Sequence, residues 1–211
     1  NNQALRQAVG KYALLLNPDM RVESDTVSQM LAWAKSHPQA TVCGCHLVDE
    51  AGRTVLQVRR FPRFWDQLLI TLKVPHFLPS AVDGYLEKGF DYAQATKVDS
   101  IRGAFFLIDR ESWRQLSGGQ DPLLDERYFV WFEEVDFCRE TYRLGGEVWY
   151  APAARCVDHV GASFRQLPLG TSQAYFSDSM IKYFAKWEAP WQARLLAFAW
   201  RLVRALVWIR K

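Results

Sequence analysis

Residues 128–136 read Tyr-Phe-Val-Trp-Phe-Glu-Glu-Val-Asp, so five mostly aromatic residues run directly into three carboxylates. The pattern after Phe132 predicts a helix that ends before Gly145. The helix dipole favours acids in a first turn, which explains one or two carboxylates but not their place beside aromatic rings. Partial burial would raise a carboxyl pKa toward the range of a general base. Glu133, Glu134 and Asp136 are therefore candidate functional residues.

Strand-like and helical segments alternate on both sides of this stretch. The apolar run Tyr12–Leu16 is typical of a strand buried on both faces. Gly103 lies at the centre of a bent strand or strand pair at 97–109, where glycine often marks close approach of a backbone or ligand. Further strands are predicted at 41–48, 54–61, 147–150 and 154–158, and further helices after Asp25, at 64–74 and at 111–116. This alternation predicts an α/β fold with a mixed sheet flanked by helices.

The composition is that of a globular protein. The chain has 211 residues, of which 49% are hydrophobic and 23% charged, and its net charge of +3 gives no reason to expect nucleic acid. Its four cysteines form no Cys-x-x-Cys pair. Metal binding by Cys43, Cys45 and His46 stays open beside the commoner alternative of buried thiols. Unpaired cysteines fit a reducing cytoplasmic setting.

The C-terminal segment differs in charge and pattern from the rest. Residues 172–211 have helical periodicity, broken at Pro190, and no acid follows Glu188. A basic, Trp-rich amphipathic helix fits a membrane surface, and its internal arginines argue against a spanning helix. Packing on its own domain or on a partner is the alternative. We expect a domain at 1–165 and a membrane-surface-associating helical tail at 166–211. The basic residues are Arg194, Arg201, Arg204, Arg210 and Lys211.

Polar residues in two further segments, at 17–19 and at 159, suggest a cation site. Asn17 and Asp19 follow the first strand, at the strand end where open α/β sheets usually bind ligands. His159 follows the last predicted strand, and its ring nitrogen suits Mn²⁺ better than Mg²⁺. Each residue alone is more often a turn or loop residue. Together with the acidic helix start, they suggest a site for a divalent cation and a general base.

Four segments carry a resemblance to a known family. They are 14–19 (LLLNPD), 103–110 (GAFFLIDR), 118–139 with its DERYFVWFEEVDFCR run, and 159–163 (HVGAS). In order and spacing they resemble family 2 glycosyltransferases, especially the rhamnosyltransferase-like branch. The resemblance covers about residues 1–165. It implies a partial GT-A, Rossmann-like fold and an enzyme that transfers a sugar from a nucleotide-sugar with inversion.

The resemblance also implies roles for individual residues. Asp19 would bind the metal, Mg²⁺ or Mn²⁺, in a DxD-like motif in which Asn17 replaces the first Asp, and His159 would be a second ligand. Glu134 falls on the catalytic-base position, where the family more often has Asp, and Asp136 is the second candidate base. Gly103 and Ala104 resemble the loop beneath donor sugar and acceptor. Glu133 and Trp131 are expected to contact substrate.

The expected partners follow from the same resemblance. Family members carry a nucleotide-binding half before the segment that residues 1–10 resemble, so this chain is expected to bind nucleotide weakly and turn over little by itself. The acceptor would be polyprenyl-linked or a polysaccharide of the cell envelope. Together with the basic tail, this places the protein on the cytoplasmic face of the cell membrane, as a peripheral protein.

Two other functions stay open. A glycoside hydrolase could use two carboxylates, Glu134 with Asp125 or Asp19, and would need no metal. A non-catalytic carbohydrate- or partner-binding module could stack sugars on tryptophans, and the candidates for that role are Trp65, Trp131 and Trp149.

Overall fold

The computed structural model describes residues 1–159 and 168–209. Its helices are α1 (Asn2–Gln7), α2 (Thr26–Ser36), α3 (Phe64–Thr71), α4 (Arg110–Leu116), α5 (Glu133–Arg143), α6 (Leu169–Trp187) and α7 (Pro190–Ile209). Its strands are β1 (Tyr12–Leu16), β2 (Met20–Val22), β3 (Ala40–Val48), β4 (Val58–Arg59), β5 (Thr96–Lys97), β6 (Ser100–Ile101), β7 (Phe105–Asp109) and β8 (Glu147–Asp158). Two short 3₁₀ helices, Val74–His76 and Pro79–Val82, follow α3.

The main sheet is mixed. Its strand order is β1-β7-β3-β8-β2, and β5 pairs with β8 beside this path. β3 and β8 run parallel, while β1–β7, β3–β7 and β2–β8 are antiparallel. Helices flank the sheet, so the predicted fold class, a mixed α/β sheet of partial Rossmann-like type, is confirmed.

Several elements differ from the sequence prediction. The strand predicted at 54–61 is interrupted: Thr54 makes an isolated antiparallel bridge to Val48 of β3, and only Val58–Arg59 is a strand, which pairs with β6. The two strands predicted at 147–150 and 154–158 are one strand, β8, which continues past Pro152 through a register shift opposite Gly44 and His46. The predicted pattern also missed β2 and α1, which are too short to show a period.

Each face of the sheet buries its own hydrophobic layer. On one face α2 contributes Met30 and Ala34, and on the other α4 and α5 contribute Trp113 and Phe137, whose rings stack at 4.2 Å. All four cysteines are buried free thiols within these layers. The cysteines therefore serve as small apolar core residues, as the commoner alternative predicts.

α6 and the first half of α7 pack on the domain. Met180, Tyr183 and Phe184 of α6 are fully buried against a third cluster that includes Phe64 and Phe132. For α6 the alternative of packing on its own domain is thus the observed one. The expected boundary at 165/166, Val160–Ser163, Arg210 and Lys211 lie outside the described residues. Among the described helices, none is both long and apolar enough to cross a bilayer.

Candidate functional site

One cleft collects most of the predicted site residues. Its volume is about 520 Å³, and it lies at the end of β1, beside the start of β7 and the first turn of α5. The predicted residues that line it are Asn17, Asp19, Gly103, Ala104, Trp131, Glu133 and Glu134. Segments more than 100 positions apart in the chain therefore meet around one cavity, as the resemblance implies.

Backbone hydrogen bonds fix the floor of the cleft. The N–H of Asn17 donates to the carbonyl of Ala104 at 3.0 Å, which extends the β1–β7 ladder by one step. The N–H of Met20 then donates to the carbonyl of Asn17 at 3.2 Å and closes the turn through Pro18 and Asp19. This turn and the Gly103–Ala104 backbone are therefore held together independently of any ligand.

The entry to α5 is strained. Trp131 and Phe132 have φ angles of 60° and 66°, in the left-handed region that side chains other than glycine seldom adopt. Such strain costs on the order of 1–3 kcal/mol per residue and persists where the surroundings enforce it. Here Phe132 is buried among Phe176 and Tyr183. The turn directs Trp131 and the first residues of α5 into the cleft.

Glu134 has the properties of a general base. Burial, reinforced by the neighbouring charge of Glu133, raises the pKa of Glu134 to about 8, and Arg102 and Arg59 oppose the rise only in part. Burial also raises the pKa of Glu133. One carboxyl oxygen of each residue is buried and has no hydrogen-bond partner among the described residues. A buried carboxyl oxygen without a hydrogen-bond partner lowers the stability of the fold. A carboxyl with a raised pKa at a cleft suits proton transfer near neutral pH.

Gly103 leaves room for the Glu134 side chain. A Cβ atom at Gly103 would lie 3.4 Å from Cβ and 3.7 Å from Cγ of Glu134. Gly103 therefore lies next to the stem of Glu134, at a distance that a methyl group would meet as an ordinary contact. It lies in the turn between β6 and β7 rather than inside a strand.

The sequence analysis missed an ion pair in the same cleft. Arg102 and Asp158 both line it, and Nη1 of Arg102 lies 2.9 Å from Oδ2 of Asp158, which is 4% exposed. Each residue adjoins a segment of the resemblance, Arg102 before Gly103 and Asp158 before His159. That adjacency was the signal in the sequence that could have indicated these residues. Their pairing across 56 positions could not be predicted, because it depends on where β8 lies in the sheet.

Asp136 is placed away from the cleft. It is buried and accepts hydrogen bonds from the Tyr128 hydroxyl at 3.1 Å, Lys186 Nζ at 2.7 Å and Trp187 Nε1 at 2.6 Å. The suggestion of a second candidate base therefore has no geometric support. Asp136 instead joins α5 to α6. Arg139 of α5 makes a second link to this region, because it donates to the Tyr183 hydroxyl and to Glu188.

Asp19 and His159 are neighbours across β2 and β8. The N–H of His159 donates to the carbonyl of Asp19 at 3.4 Å, while Nδ1 of His159 lies 2.6 Å from Oε1 of Glu50. A carboxylate can only accept, so Nδ1 of the neutral ring carries the hydrogen and Nε2 keeps a lone pair. This carboxylate–histidine arrangement is the one that metal-binding histidines usually have.

The described residues hold no complete protein site for a metal. Within 1–159 and 168–209, no three His, Cys, Asp or Glu side chains group as metal ligands. The alternative ligand set at Cys43, Cys45 and His46 has no support either, since both thiols are buried and Nε2 of His46 bonds the Thr54 hydroxyl. A cation beside Asp19 would need substrate oxygens to complete its coordination, as Mg²⁺ commonly does.

Of the residues for the two other functions, Glu134, Asp19 and Trp131 line the cleft together. Asp125 is paired with Arg127 and Lys186, which hold its pKa well below the usual range, and it does not line the cleft with Glu134. Of the three tryptophans, only Trp131 lines the cleft, whereas Trp149 packs beside Trp33 of α2. They do not form one stacking surface.

Comparison with known proteins found distant relatives of this chain. No family model matches the chain. It is 26% identical to rhamnosyltransferase WbbL of Escherichia coli (strain K12) over 155 residues, which are 73% of this chain and 54% of that protein. A second relative is N-acetylglucosaminyl-diphospho-decaprenol L-rhamnosyltransferase of Mycobacterium tuberculosis (strain ATCC 25618 / H37Rv), 22% identical over 187 residues, or 86% of the chain and 59% of that protein. These two matches point to a glycosyltransferase family. The chain thus spans less than two thirds of the length of these relatives.

Proposed function

We propose that the chain forms the catalytic part of an inverting glycosyltransferase. The enzyme would move a hexose, rhamnose being the first candidate, from a nucleotide-sugar to a hydroxyl of a lipid-linked or polysaccharide acceptor. The observation that carries the proposal is the convergence of the 17–19 turn, Gly103–Ala104 and the Glu133–Glu134 helix start around one cleft. The name of the mycobacterial relative includes a diphospho-decaprenol carrier, which favours a lipid-linked acceptor.

Glu134 is the base in this proposal. Its carboxylate takes the proton of the acceptor hydroxyl as that oxygen bonds to the anomeric carbon, while the bond to the nucleoside diphosphate breaks and its electron pair leaves with the diphosphate. The transition state has oxocarbenium character, as in glycoside hydrolysis. A pKa of about 8 gives the carboxylate enough basicity to share that proton. Gly103 lies beside the Glu134 side chain and leaves room for it.

Asp19 and His159 would hold a divalent cation, with Glu50 orienting the His159 ring. The cation, when bound, neutralises charge on the departing diphosphate. The Arg102–Asp158 pair lies in the same cleft, where the guanidinium can bind a diphosphate or sugar oxygen once donor enters. Trp131 and Glu133 would contact the sugar from the α5 side.

The test is a transfer assay with a panel of nucleotide-sugars and a prenyl-diphosphate-linked acceptor, in Mg²⁺ or Mn²⁺ and with a chelator. Metal-dependent transfer with inversion, lost in Glu134→Gln, is expected. Donor binding by Glu134→Gln should stay close to that of the unchanged chain. Transfer to water that persists in chelator would favour the hydrolase, and full transfer by Glu134→Gln would remove Glu134 from the base role.

A further inference from the structure

An apolar surface lies outside the cleft, on α3, the segment after it and α7. We call it the α3–α7 face. Phe77 is 89% exposed and Trp65 is 69% exposed, although large aromatic side chains are normally inside. The other exposed apolar members are Leu72, Leu78, Trp191, Leu195, Phe198 and Leu202. Contiguous exposed apolar patches on soluble proteins mark interaction sites.

The two helices present these side chains as one surface. The ring of Phe64 in α3 lies 5.0 Å from that of Trp65 and 5.0 Å from that of Trp191 in α7, so a buried phenylalanine joins two exposed tryptophans. The segment from Leu72 to Leu78 folds back on α3 through its short 3₁₀ helices. Phe77 therefore extends the same surface beyond the end of α3.

α7 divides into a packed face, an apolar stripe and a basic edge. At 100° per residue, the exposed apolar residues of α7 fall within an arc of about 60°. Its buried residues Ala193, Leu196 and Ala199 lie on the far side of the helix. Arg194 and Arg201 are exposed and lie on one flank of the stripe, and Arg204, also exposed, lies further round the helix on the same side. No acidic residue occurs in α7, and Asp66 is the only one in α3.

We infer that the α3–α7 face docks on the surface of an anionic lipid bilayer. Exposed tryptophans, other exposed apolar side chains and neighbouring arginines match the three layers of such a surface, namely interface, acyl boundary and anionic headgroups. A protein partner would need a complementary acidic rim. The arginines of α7, with no acidic residue in that helix, favour an anionic surface.

The inference reaches beyond the C-terminal helix that the sequence suggests. It adds α3 and Phe77, which lie in a part of the chain whose sequence shows neither a basic nor an amphipathic pattern. The docking surface therefore arises from the packing of distant segments in the folded protein. It also does not depend on sugar transfer. Vesicle binding can be measured without donor or acceptor, so its failure and that of the proposed function are distinguishable.

The experiment is co-sedimentation of the chain with vesicles of phosphatidylcholine, alone or mixed with phosphatidylglycerol. Binding should be much tighter to the mixed vesicles. Replacing Arg194, Arg201 and Arg204 by Gln should weaken it by about five-fold for each arginine, on the order of 100-fold together. Phe77→Ser and Phe198→Ser should each weaken binding to both vesicle types by on the order of ten-fold.

A matched control is Phe129→Ser. Phe129 is 75% exposed, but its ring packs beside Tyr175 rather than on α3 or α7, so this change should leave vesicle binding intact. Unfolding midpoints of all variants are measured alongside; if Phe198→Ser lowers the midpoint, Phe77→Ser alone carries the comparison. Equal binding to neutral vesicles, no binding, or unchanged binding by the face variants would overturn the inference. So would a dimer that the face variants abolish, because the occupant would then be a second copy.

Discussion

Replacing Glu134 by Gln should make the protein more stable and stop its chemistry. Burial and the charge of Glu133 raise the pKa of Glu134 from 4.5 to about 8. Between those pH values the unfolded chain gives up the proton while the folded chain keeps it, so stability falls as pH rises. At about 1.36 kcal/mol per pKa unit, the cost is about 3 kcal/mol at neutral pH and about 5 kcal/mol above pH 8. Glutamine has nearly the same shape and does not ionise.

Urea unfolding at two pH values measures this effect. Near pH 3, below the ordinary pKa of 4.5, Glu134 is protonated in both states, so the variant and the unchanged chain should differ little. Near pH 8 the Glu134→Gln variant should be more stable by a few kcal/mol. Glu23→Gln, which changes an exposed acid before α2, is the matched control and should leave the pH dependence unchanged. Transfer should fall by about 10²- to 10⁴-fold in Glu134→Gln only.

Transfer activity should also rise with pH, because a base must lose its proton before it can accept another. In the free enzyme the rise in kcat/KM should have its midpoint near pH 8. Glu133→Gln removes the charge that helps to raise the Glu134 pKa, so its profile should move to lower pH while turnover persists. A Glu134→Gln variant that is less stable at every pH, or a pH profile that Glu133→Gln does not move, would refute the reasoning.

Three other changes test the remaining parts of the site. Gly103→Ala should lower kcat by no more than a few-fold, with less than about 1 kcal/mol lost in urea unfolding, because its methyl carbon would lie at contact distance, 3.4 and 3.7 Å, from Cβ and Cγ of Glu134; a loss of about 100-fold or more would contradict this fit. Asp136→Ala should cost about 3–5 kcal/mol in the same assay, because it leaves the Tyr128 hydroxyl and Trp187 Nε1 without this acceptor and Lys186 with Asp125 alone; an unchanged midpoint would contradict the structural role. Glu50→Gln should weaken Mn²⁺ binding by on the order of ten-fold or more, seen in a metal titration with nucleotide-sugar present, and an unchanged affinity would remove Glu50 as the partner of His159.

The local sequence pattern was enough to predict much of the sheet and both ends of α5. β1 was predicted with its observed bounds, because five apolar residues end at a Pro-containing turn. Its predicted burial on both faces is wrong, because β1 ends the strand order and only Ala13 of the strand is buried. α5 was predicted to begin at Glu133, since acids after an aromatic run and a later glycine pair mark both ends. The meeting of Asn17, Gly103 and Glu134 came from the resemblance, since no period in the sequence reports a distance between strands.

The parts that were missed depend on contacts between distant segments. Asp136 follows Glu134 by two positions, so the sequence treats them alike, but on a helix two positions turn the side chain by about 200°. Asp136 therefore meets Lys186 of α6, 50 positions away. The partnership of His159 with Glu50 arises in the same way, from the parallel pairing of β8 with β3. Charges within a short window could not have indicated either contact.

β1 ends the strand order of the main sheet, so one side of its backbone is not paired with another strand among the described residues. A row of unsatisfied amides and carbonyls attracts any extended peptide, including the same strand of another molecule. The chain on its own should consequently associate at high concentration through Tyr12–Leu16. Any segment that adds there would also stiffen the turn at Asn17, because both share one ladder.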